Sequence, residues 1–360
     1  MGRHFTTDCE GPITKNDNAQ ELTTHFVPRG EILFAIVSRY DDFLADVVHR
    51  PGYKAGDTLK LILPFLIAFG ASNVAIQDYS RSHLLLVPGA CETLGFVRRH
   101  MASFIISTSY EPYIRALCDV LDFPVSQVFF TPLDIDRYPL DPQEASWLRK
   151  TAMEIIEMEM LEWTEDTKDI ESLPESHRQT LSRLDQIFWN TIAEMKIGRV
   201  FEEVNPVGGS EKAKAVLKSL ERSSHSLEDV MYVGDSITDV QALDLARRHG
   251  GLAVSFNGNG YAIRSSQVCC MSKDARIVAV LADVFNREGR DATLSMVSSW
   301  GSGDLSDFPG DENLLDWLTN LPTDDSPRVE LISDTNRRDL TVASEAFRKS
   351  VRGVQIGALG

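Results

Sequence analysis

The sequence predicts an α/β fold, in which a doubly wound parallel sheet forms the core and two helical regions are inserted into it. Two observations lead to this prediction. Short apolar segments of strand length alternate with amphipathic helical segments, which is the pattern of repeated βαβ units. Residues 15–84 and 141–200 instead carry apolar residues at three- and four-residue spacing and have no strand pattern. These two regions are therefore predicted to be a helical cap and a second helical insertion.

The core elements are predicted in the order in which the chain presents them. The first strand is short and ends at Asp8, where two acidic residues and a Gly-Pro break interrupt it. Each later strand is an apolar run that follows a helix and ends in polar residues, as parallel strands do in doubly wound folds. The predicted strands are 3–7, 103–106, 127–131, 230–233 and 252–256, and the helices between them are 87–100, 112–121, 212–222 and 240–249.

The chain is predicted to divide into four parts. The last part is rich in Ser, Asp, Gly and Pro at 301–310 and 322–327, which is typical of loops, and it has one final helix at 342–351. The predicted parts are the core at 1–14, 85–140 and 201–285, the cap at 15–84, the insertion at 141–200 and a C-terminal extension at 286–360.

The charge and the cysteines exclude several classes of function. With 36 Lys and Arg against 53 Asp and Glu the net charge is −17, so neither duplex nucleic acid nor an anionic membrane is an expected partner. The 5 cysteines form no CxxC pair, which excludes a zinc ribbon and a redox pair. The longest apolar run, residues 61–71, is too short to span a bilayer. We expect a cytoplasmic protein whose partner is a small molecule, and the oligomeric state stays open.

Polar side chains that suit phosphate chemistry follow the predicted strands or begin a helix. Because the carboxyl ends of parallel strands meet at one edge of a sheet, we expect these residues to converge there. Lys212 is preferred to Lys214 because it lies nearer the start of its helix. The candidates are Asp8 and Glu10 after the first strand, Ser107, Thr108 and Ser109 after the second, Lys212 at a helix start, and Asp235 and Asp239 after strand 230–233.

These residue types match the requirements of phosphoryl transfer. A carboxylate can attack phosphorus and form an aspartyl-phosphate, and a second carboxyl group two residues away can protonate the leaving oxygen. Carboxylates also hold Mg²⁺, which offsets the repulsion between the nucleophile and the phosphate. A lysine and hydroxyl groups bind the oxygens on which charge develops. The sequence therefore predicts a site for small phosphate esters.

The order of these motifs resembles that of the haloacid dehalogenase (HAD) superfamily. An apolar strand ending in Asp-x-acid-Gly, a strand ending in Ser, a Lys at a helix start and Gly-Asp-x-x-x-Asp follow one another as in that family. The segment 87–107 is similar to the stretch that precedes the second motif of phosphoserine-phosphatase-like members. Three segments, 7–14, 232–243 and 253–259, resemble the archaeal-type HAD branch known as energy-converting hydrogenase subunit R. The resemblance covers residues 3–285.

The resemblance implies an HAD-type core and a cap that closes over the site. It also implies a Mg²⁺-dependent phosphomonoester hydrolase that acts on a small phosphorylated metabolite. Asp8 matches the nucleophile of the family, and Glu10 stands in the position of the general acid and base. The phosphate-binding residues that it implies are Ser107, Thr108 and Lys212, and the metal-binding residues are Asp8, Glu10 through its backbone carbonyl, Asp235 and Asp239.

One residue departs from the family pattern. Phosphatases of the family usually carry Asp two residues after the nucleophile, whereas this chain has Glu10. Glu has one more methylene group and titrates slightly higher in reference peptides, so it can still donate a proton. The longer side chain keeps two alternatives open. One is a phosphotransferase or mutase with the same residues, and the other is a non-catalytic HAD-fold subunit that binds or assembles.

Two further motifs are predicted to lie outside the catalytic set. Asp134 and Asp136 imitate a DxD pattern, but they stand in a loop before Pro139 and are predicted to be surface acids. The turn 257–260, Asn-Gly-Asn-Gly, lacks the GxGxxG spacing of dinucleotide sites and is predicted to border the site.

Overall fold

A computed structural model describes residues 2–164, 167–300, 310–322, 326–353 and 357. The described residues form one seven-stranded sheet. Its strands are β1 (His4–Thr7), β2 (Ala102–Tyr110), β3 (Val128–Thr131), β4 (Val230–Gly234), β5 (Leu252–Phe256), β6 (Val268–Met271) and β7 (Arg328–Leu331). They lie in the order β3-β2-β1-β4-β5-β6-β7, and all neighbours are parallel except β6 and β7.

β1 is the strand from which the chain winds outward in two directions. Thr7 pairs with Ile105 of β2 on one side and with Val233 of β4 on the other. The loops after β1 and β4 therefore leave the sheet at the point where the winding reverses, and ligand sites of open α/β sheets lie at that point. The predicted α/β class with a doubly wound parallel sheet is confirmed.

The helices follow the chain in four groups. Residues 18–82 form α1 (Asn18–Phe26), α2 (Gly30–Asp46), α3 (Thr58–Ala68) and α4 (Asn73–Ser82). The next group is α5 (Ala90–His100), α6 (Glu111–Leu121), α7 (Pro142–Ile156), α8 (Glu175–Asp185) and α9 (Val200–Glu203). The core adds α10 (Ser210–Ser223), α11 (Val240–Arg248), α12 (Gly260–Ser265) and α13 (Arg276–Glu288). The extension forms α14 (Arg290–Ser298), α15 (Glu312–Thr319) and α16 (Arg337–Arg352).

The predicted cap and the predicted insertion share one apolar interior. Helices α2 and α3 pack on α7, and their buried side chains join those of α8 in a single cluster. This helical layer covers the carboxyl edge of the sheet, because Phe34 of α2 and Leu59 of α3 line the same cavity as Asp8. The layer thus separates the loops after β1 and β4 from bulk water.

The insertion is not helical along its whole length, which corrects the prediction for 141–200. Between α7 and α8 the chain is irregular from 157 to 174, apart from residues 165 and 166, which lie outside the described residues. Trp163 in this segment packs edge-on against Phe43, with 5.2 Å between the two ring centres. The guanidinium of Arg39 lies 3.8 Å from the centre of the Trp163 ring. Contacts with the cap, rather than helical hydrogen bonds, hold the segment in place.

The C-terminal extension is more ordered than its composition predicts. It contains α14, α15 and β7, and its last helix begins at Arg337 instead of 342. β6 and β7 are four residues each, and β7 is defined by antiparallel pairing with β6. The predicted loop at 301–310 lies outside the described residues except for Gly310, as do residues 323–325 of the loop predicted at 322–327.

The helices in the described ranges can be compared with a membrane span by length and apolar character. No single helix there is both long and apolar enough to cross a bilayer. Helices α3 and α4, which a sharp bend separates, reach the length and apolar composition of a membrane span only when the two are counted as one segment.

His4, the first residue of β1, is buried in the neutral state. Its Nδ1 and Nε2 lie 2.9 Å from the hydroxyl groups of Ser223 and Ser219. Burial, and secondly the neighbouring His225, lower the pKa of His4 from 6.5 to about 3. The unfolded chain therefore binds more protons than the folded chain between these two pH values. We expect His4 alone to lower the free energy of unfolding by up to about 1.4 kcal/mol per pH unit as the pH falls through this window.

Urea unfolding of the wild type and of His4→Gln, at several pH values from about 7 to about 4, measures this effect. The variant should lose stability less steeply on acidification, because it lacks the group that must be protonated on unfolding. His249→Gln, at an exposed position, is the matched control and should keep the wild-type slope. Equal slopes for the wild type and His4→Gln would contradict the prediction.

Candidate active site

Asp8 directly follows β1, an inner strand of the sheet, and is buried. Its backbone N–H donates to the carbonyl of Val233 at 2.8 Å, which continues the pairing of β1 with β4. Its side chain accepts a hydrogen bond on Oδ1 from the backbone N–H of Cys9 at 2.7 Å. Because strands pair on both sides of β1, the position of the Asp8 carboxylate is set by the sheet itself.

Gly11 lets the loop after β1 approach the loop after β4. Its φ of 107° lies in the left-handed region that glycine adopts readily. A Cβ atom at this position would overlap the carboxylate of Asp235. The Gly-Pro break in the sequence therefore has a steric cause, since only glycine leaves room for Asp235 beside this loop.

Lys212, in the first turn of α10, joins two of the predicted carboxylates. It is fully buried, and its Nζ lies 2.6 Å from Oδ2 of Asp8 and 2.7 Å from Oδ1 of Asp239. Burial lowers the pKa of Lys212, but Asp239 and Asp8 outweigh burial, so the pKa is raised and the ammonium stays charged. Lys214 instead lies outside this cluster, largely exposed, and pairs with Glu211 at 2.7 Å.

Asp239 is held in place by five hydrogen bonds, one of them from the hydroxyl of Ser236 to its Oδ2 at 3.4 Å. Its Oδ1 accepts from Lys212 and, at 2.8 Å, from the hydroxyl of Tyr232. Its Oδ2 accepts from the backbone N–H groups of Asp235 and Ser236 at 3.0 and 3.1 Å. Burial raises the pKa of Asp239, but Lys212 and the other donors outweigh burial and lower the pKa. The ionised carboxylate of Asp239 therefore orients both Lys212 and the loop that carries Asp235.

The structure brings three predicted metal ligands together. Carboxylate oxygens of Asp8, Asp235 and Asp239 all lie within 4.8 Å of one another. Burial and the two neighbouring aspartates raise the pKa of Asp8 well above its usual range, against the effect of Lys212. Closely spaced buried carboxylates are the donor set of a hard divalent cation such as Mg²⁺, so the residues fit the predicted cofactor.

Glu10 turns its side chain toward the cap instead of the three aspartates. Its Oε1 accepts from the backbone N–H of Asn18, at the start of α1, at 2.7 Å. Burial, followed by the nearby Asp17, raises the pKa of Glu10 to about 8. A carboxyl group with that pKa keeps its proton at neutral pH, which is the state that a general acid requires. Glu10 and Asp8 line the same cavity.

Ser107 and Thr108, the predicted phosphate-binding residues, have different environments. Thr108 lines the cavity with Asp8, and its hydroxyl donates to the carbonyl of Val207 at 3.1 Å. Ser107 is fully buried, and its Oγ accepts from the backbone N–H of Ser109 at 3.1 Å. Ser109 is buried as well. The end of β2 therefore presents Thr108 to the cavity and encloses its two neighbours.

Two arginines that the motif pattern does not predict also belong to this site. Arg348 and Arg352 of α16 both donate to Oδ2 of Asp235, the latter at 3.0 Å. Their side chains are only 3% and 5% exposed. The sequence does contain a signal for them, since Leu340, Ser344, Arg348 and Arg352 recur every four residues and so share one stripe of a helix.

The cavity above Asp8 is small and lined largely by acids. Its volume is about 80 Å³. Asp42 of α2 has an Oδ2 atom without a hydrogen-bond partner among the described residues, and burial, then Asp41, raises its pKa well above the usual range. The main lining side chains are Asp8, Glu10, Asp17, Phe34, Ser38, Asp41, Asp42, Thr58, Thr108, Asp235, Arg348 and Arg352. A separate cleft of about 750 Å³ lies beside another stripe of α16 and does not include Asp8.

The two remaining motifs have structural contacts. Asp134 accepts a hydrogen bond from the side-chain amide of Asn73 at 2.7 Å. Asp136 accepts one from the backbone N–H of Asn73 at 3.2 Å, and both contacts lie in exposed positions. In the turn 257–260, Asn257 exchanges hydrogen bonds with the backbone of Ser272 at 2.8 and 2.9 Å. These contacts fix loops around the site without adding a group to the cavity.

Comparisons with known proteins identify structural relatives. No family model and no curated protein matches the sequence. The solved structure of gene product AF1437 from Archaeoglobus fulgidus matches 100% of this chain and 99% of its own, with a TM-score of 0.77 and 26% sequence identity. This chain therefore shares its fold with that archaeal protein along the whole length.

More distant structural neighbours are two structures of phosphoserine phosphatase. One is the apo form and the other a phospho-aspartyl intermediate analogue. Each structure is 12% identical to this chain and matches 77% of it with a TM-score of 0.47. The match covers 98% of the apo chain and 97% of the chain of the intermediate analogue. None of these three structures is described as a hydrogenase subunit, so the resemblance to that branch stays a prediction.

Proposed function

We propose that this chain is an HAD-type phosphatase, a Mg²⁺-dependent hydrolase that cleaves a small phosphomonoester through an aspartyl-phosphate on Asp8. The observation that carries the proposal is the buried lysine between two strand-end carboxylates, with Lys212 at 2.6 Å from Asp8 and 2.7 Å from Asp239. Phosphoryl transfer to a carboxylate needs a fixed nucleophile and a fixed cation for the charge that develops on phosphate. Both are present at the point where the sheet reverses its winding.

The proposed reaction has two steps that share the same pair of carboxyl groups. A carboxylate oxygen of Asp8 attacks phosphorus, the P–O bond to the leaving group breaks, and its electron pair stays on the leaving oxygen. Glu10 donates its proton to that oxygen, so the product leaves as an alcohol. Glu10 then accepts a proton from water, whose oxygen attacks phosphorus. The bond between phosphorus and Asp8 breaks, which releases inorganic phosphate and regenerates Asp8.

The other predicted site residues have supporting roles in this proposal. Lys212 and Thr108 bind the phosphate oxygens, and Asp239 orients Lys212. The enclosed Ser107 would join them only when its hydroxyl turns from the Ser109 N–H toward the cavity. When bound, Mg²⁺ supplies positive charge that offsets the repulsion between the nucleophile and the phosphate. Asp8, Asp235, Asp239 and the backbone carbonyl of Glu10 would hold it, as carboxylates and carbonyls suit a hard cation.

The cap side of the cavity indicates the chemistry of the leaving group. Asp42 presents a buried carboxylate oxygen without a partner, and Asp17 and Asp41 line the same wall. A buried carboxyl oxygen without a partner is costly, and a cationic donor supplied by the ligand would both hydrogen-bond to it and favour its ionised form. We therefore propose that the leaving group carries an amine or another cationic group.

Release of inorganic phosphate from a panel of small phosphomonoesters tests the proposal. The panel contains pairs that differ in one group, an amine in one member and a hydroxyl in the other, each assayed with Mg²⁺ and with EDTA. We expect phosphate release that depends on Mg²⁺. The amine-bearing member of each pair should release phosphate about tenfold faster or more, because its hydroxyl counterpart lacks one buried charge pair. No release from any ester, in the presence of Mg²⁺, would contradict the hydrolase.

Two observations favour the non-catalytic alternative. Two arginines already contact the carboxylate of Asp235, and the cavity of about 80 Å³ is small for a substrate. A subunit of this kind would bind Mg²⁺ and a phosphate analogue such as vanadate without turnover. The same panel separates the two functions, and added alcohols as acceptors reveal a phosphotransferase by its new phosphoester product.

A further inference from the structure

Arg348 is a cation buried against the carboxylate of Asp235. It is 2% exposed. Its Nη1 donates to Oδ2 of Asp235, to the backbone carbonyl of the same residue at 3.2 Å and to that of Asn257 at 3.5 Å. Its Nε is buried and has no hydrogen-bond partner among the described residues. A guanidinium in such a position depends on a neighbouring anion, so Asp235 is the group that keeps Arg348 inside.

Arg352, one turn later on α16, connects Asp235 to the start of the cap. Its Nη1 donates to Oδ2 of Asp235 at 3.0 Å. Its Nε donates to the carbonyl of Lys15 at 3.1 Å, and its Nη2 donates to the carbonyl of Asn16. Lys15 and Asn16 lie where the chain leaves the core for α1. One side chain thus links α16, the loop after β4 and the connection to the cap.

The carboxylate of Asp235 already has two cationic partners. Arg348 and Arg352 both contact its Oδ2, whereas Lys212 contacts Asp8 and Asp239. A divalent cation bound to Asp235 would lie beside two buried guanidinium groups, and like charges at such short range repel strongly. Mg²⁺ and the two guanidinium groups therefore compete for one carboxylate, that of Asp235.

The available space leads to the same result. The cavity at Asp8 has a volume of about 80 Å³. Pockets that bind small molecules typically enclose about 300–1,000 Å³. Thr341, Glu345 and Lys349, on a neighbouring stripe of α16, line the cleft of about 750 Å³. Withdrawal of the last turn of α16 would remove two side chains from the small cavity and open it toward that cleft.

We propose that α16 is an autoinhibitory gate, in which Arg348 and Arg352 occupy the cation position at Asp235 and the last turn of the helix must withdraw before Mg²⁺ binds. This inference rests on the proposed function, because it concerns the metal site of the same reaction. The earlier turns of α16 stay anchored, since Leu340, Ala343 and Phe347 pack against α12 and β6 in a small apolar cluster. Only the polar contacts of the two arginines have to be exchanged for contacts with the metal ion.

Binding of Mn²⁺, followed through the electron paramagnetic resonance signal of the free ion, tests the gate in the full chain. We expect R348Q, R352Q and the double variant to bind Mn²⁺ more tightly than the wild type, by about tenfold or more for each guanidinium removed. R338Q removes the same charge from an exposed position of α16, so it is the matched control and should bind like the wild type. Adding D235N to the double variant should abolish the gain.

Hydrogen exchange adds a measurement on the unmodified chain. Saturating Mg²⁺ should raise amide exchange in residues 348–352 by about tenfold or more, because those amides lose the protection of the seated helix end. Exchange in residues 337–344, the anchored part, should stay unchanged. Circular dichroism verifies the fold of each variant. If the double variant does not fold, the single variants R348Q and R352Q are compared with the wild type.

Two results would overturn the gate. One is a Mn²⁺ affinity that, in every arginine variant, is equal to or weaker than that of the wild type, which includes the case in which no chain binds Mn²⁺. The other is amide exchange in residues 348–352 that Mg²⁺ does not alter. Failure of the proposed function gives a different pattern, namely tighter Mn²⁺ binding by the variants but no phosphate release from any ester. Phosphate release combined with unaltered affinities would reject the gate and keep the hydrolase.

Discussion

Replacing Asp8 with Asn is expected to lower Mg²⁺-dependent phosphate release by about 10³-fold or more. The amide has nearly the shape of the carboxylate but lacks the nucleophilic oxygen, so no aspartyl-phosphate forms. The fold should remain, because the backbone pairing of Asp8 with Val233 does not involve the side chain and Lys212 keeps its contact with Asp239. Initial rates on the best ester of the panel, with circular dichroism of both chains, measure the effect.

Asp119→Asn is the control for the loss of one negative charge. Asp119 is exposed on α6 and does not line the cavity at Asp8, so its replacement should leave the rate unchanged. Trapping of the intermediate adds a second readout, since ³²P from a labelled ester should stay on the wild-type chain after acid quenching and not on the Asn variant. Turnover retained in the Asp8→Asn chain would reject Asp8 as the nucleophile.

Replacing Lys212 with Met is expected to reduce the free energy of unfolding by about 3–5 kcal/mol, the cost of breaking a buried ion pair by removing one partner. Met has a similar length but no charge, so two buried carboxylates lose the cation that contacts both. We also expect phosphate release to fall, because the variant has no ammonium for the charge that develops on phosphate. Urea unfolding followed by circular dichroism measures the change in stability.

Lys214→Met is the matched control, because Lys214 lies two residues along the same helix and its side chain is 61% exposed. Its effect on the free energy of unfolding should stay within about 0.5 kcal/mol. Adding Asp239→Asn to Lys212→Met should recover part of the lost stability, since it removes one of the two uncompensated charges. A Lys212→Met chain as stable as the Lys214→Met chain would show that the buried cation does not hold the site together.

The residues at the sheet edge could be predicted because each follows a local pattern. Asp8 and Asp235 directly follow β1 and β4, and parallel strands end at the same edge, so local pattern and topology together place them near each other. Lys212 could be preferred to Lys214 from its place in the helix, and the structure puts Lys212 inside the cluster. The part of the fold that depends on such local signals, from β1 to β5, was therefore accessible from the sequence.

The remaining features of the fold and of the site depend on contacts between distant parts of the chain. Arg348 and Arg352 belong to a polar helix, where an arginine normally lies at the surface. Nothing in their neighbourhood in the sequence indicates that their partner is Asp235, more than a hundred residues earlier. β7 has the same difficulty, since four residues become a strand only through pairing with β6. The direction of the Glu10 side chain is likewise set by the amide of Asn18 in the cap.

The position of β1 between β2 and β4 also has a consequence for biosynthesis. β1 is complete at residue 7, but its partner β4 begins only at residue 230. At a translation rate of roughly 5–20 residues per second, the nascent β1 lacks that partner for about 10–45 s. During this time one edge of β1 is open to pairing with other chains, and topologies of such high contact order fold slowly. Chaperone binding to the nascent chain would therefore protect the segment that later carries Asp8.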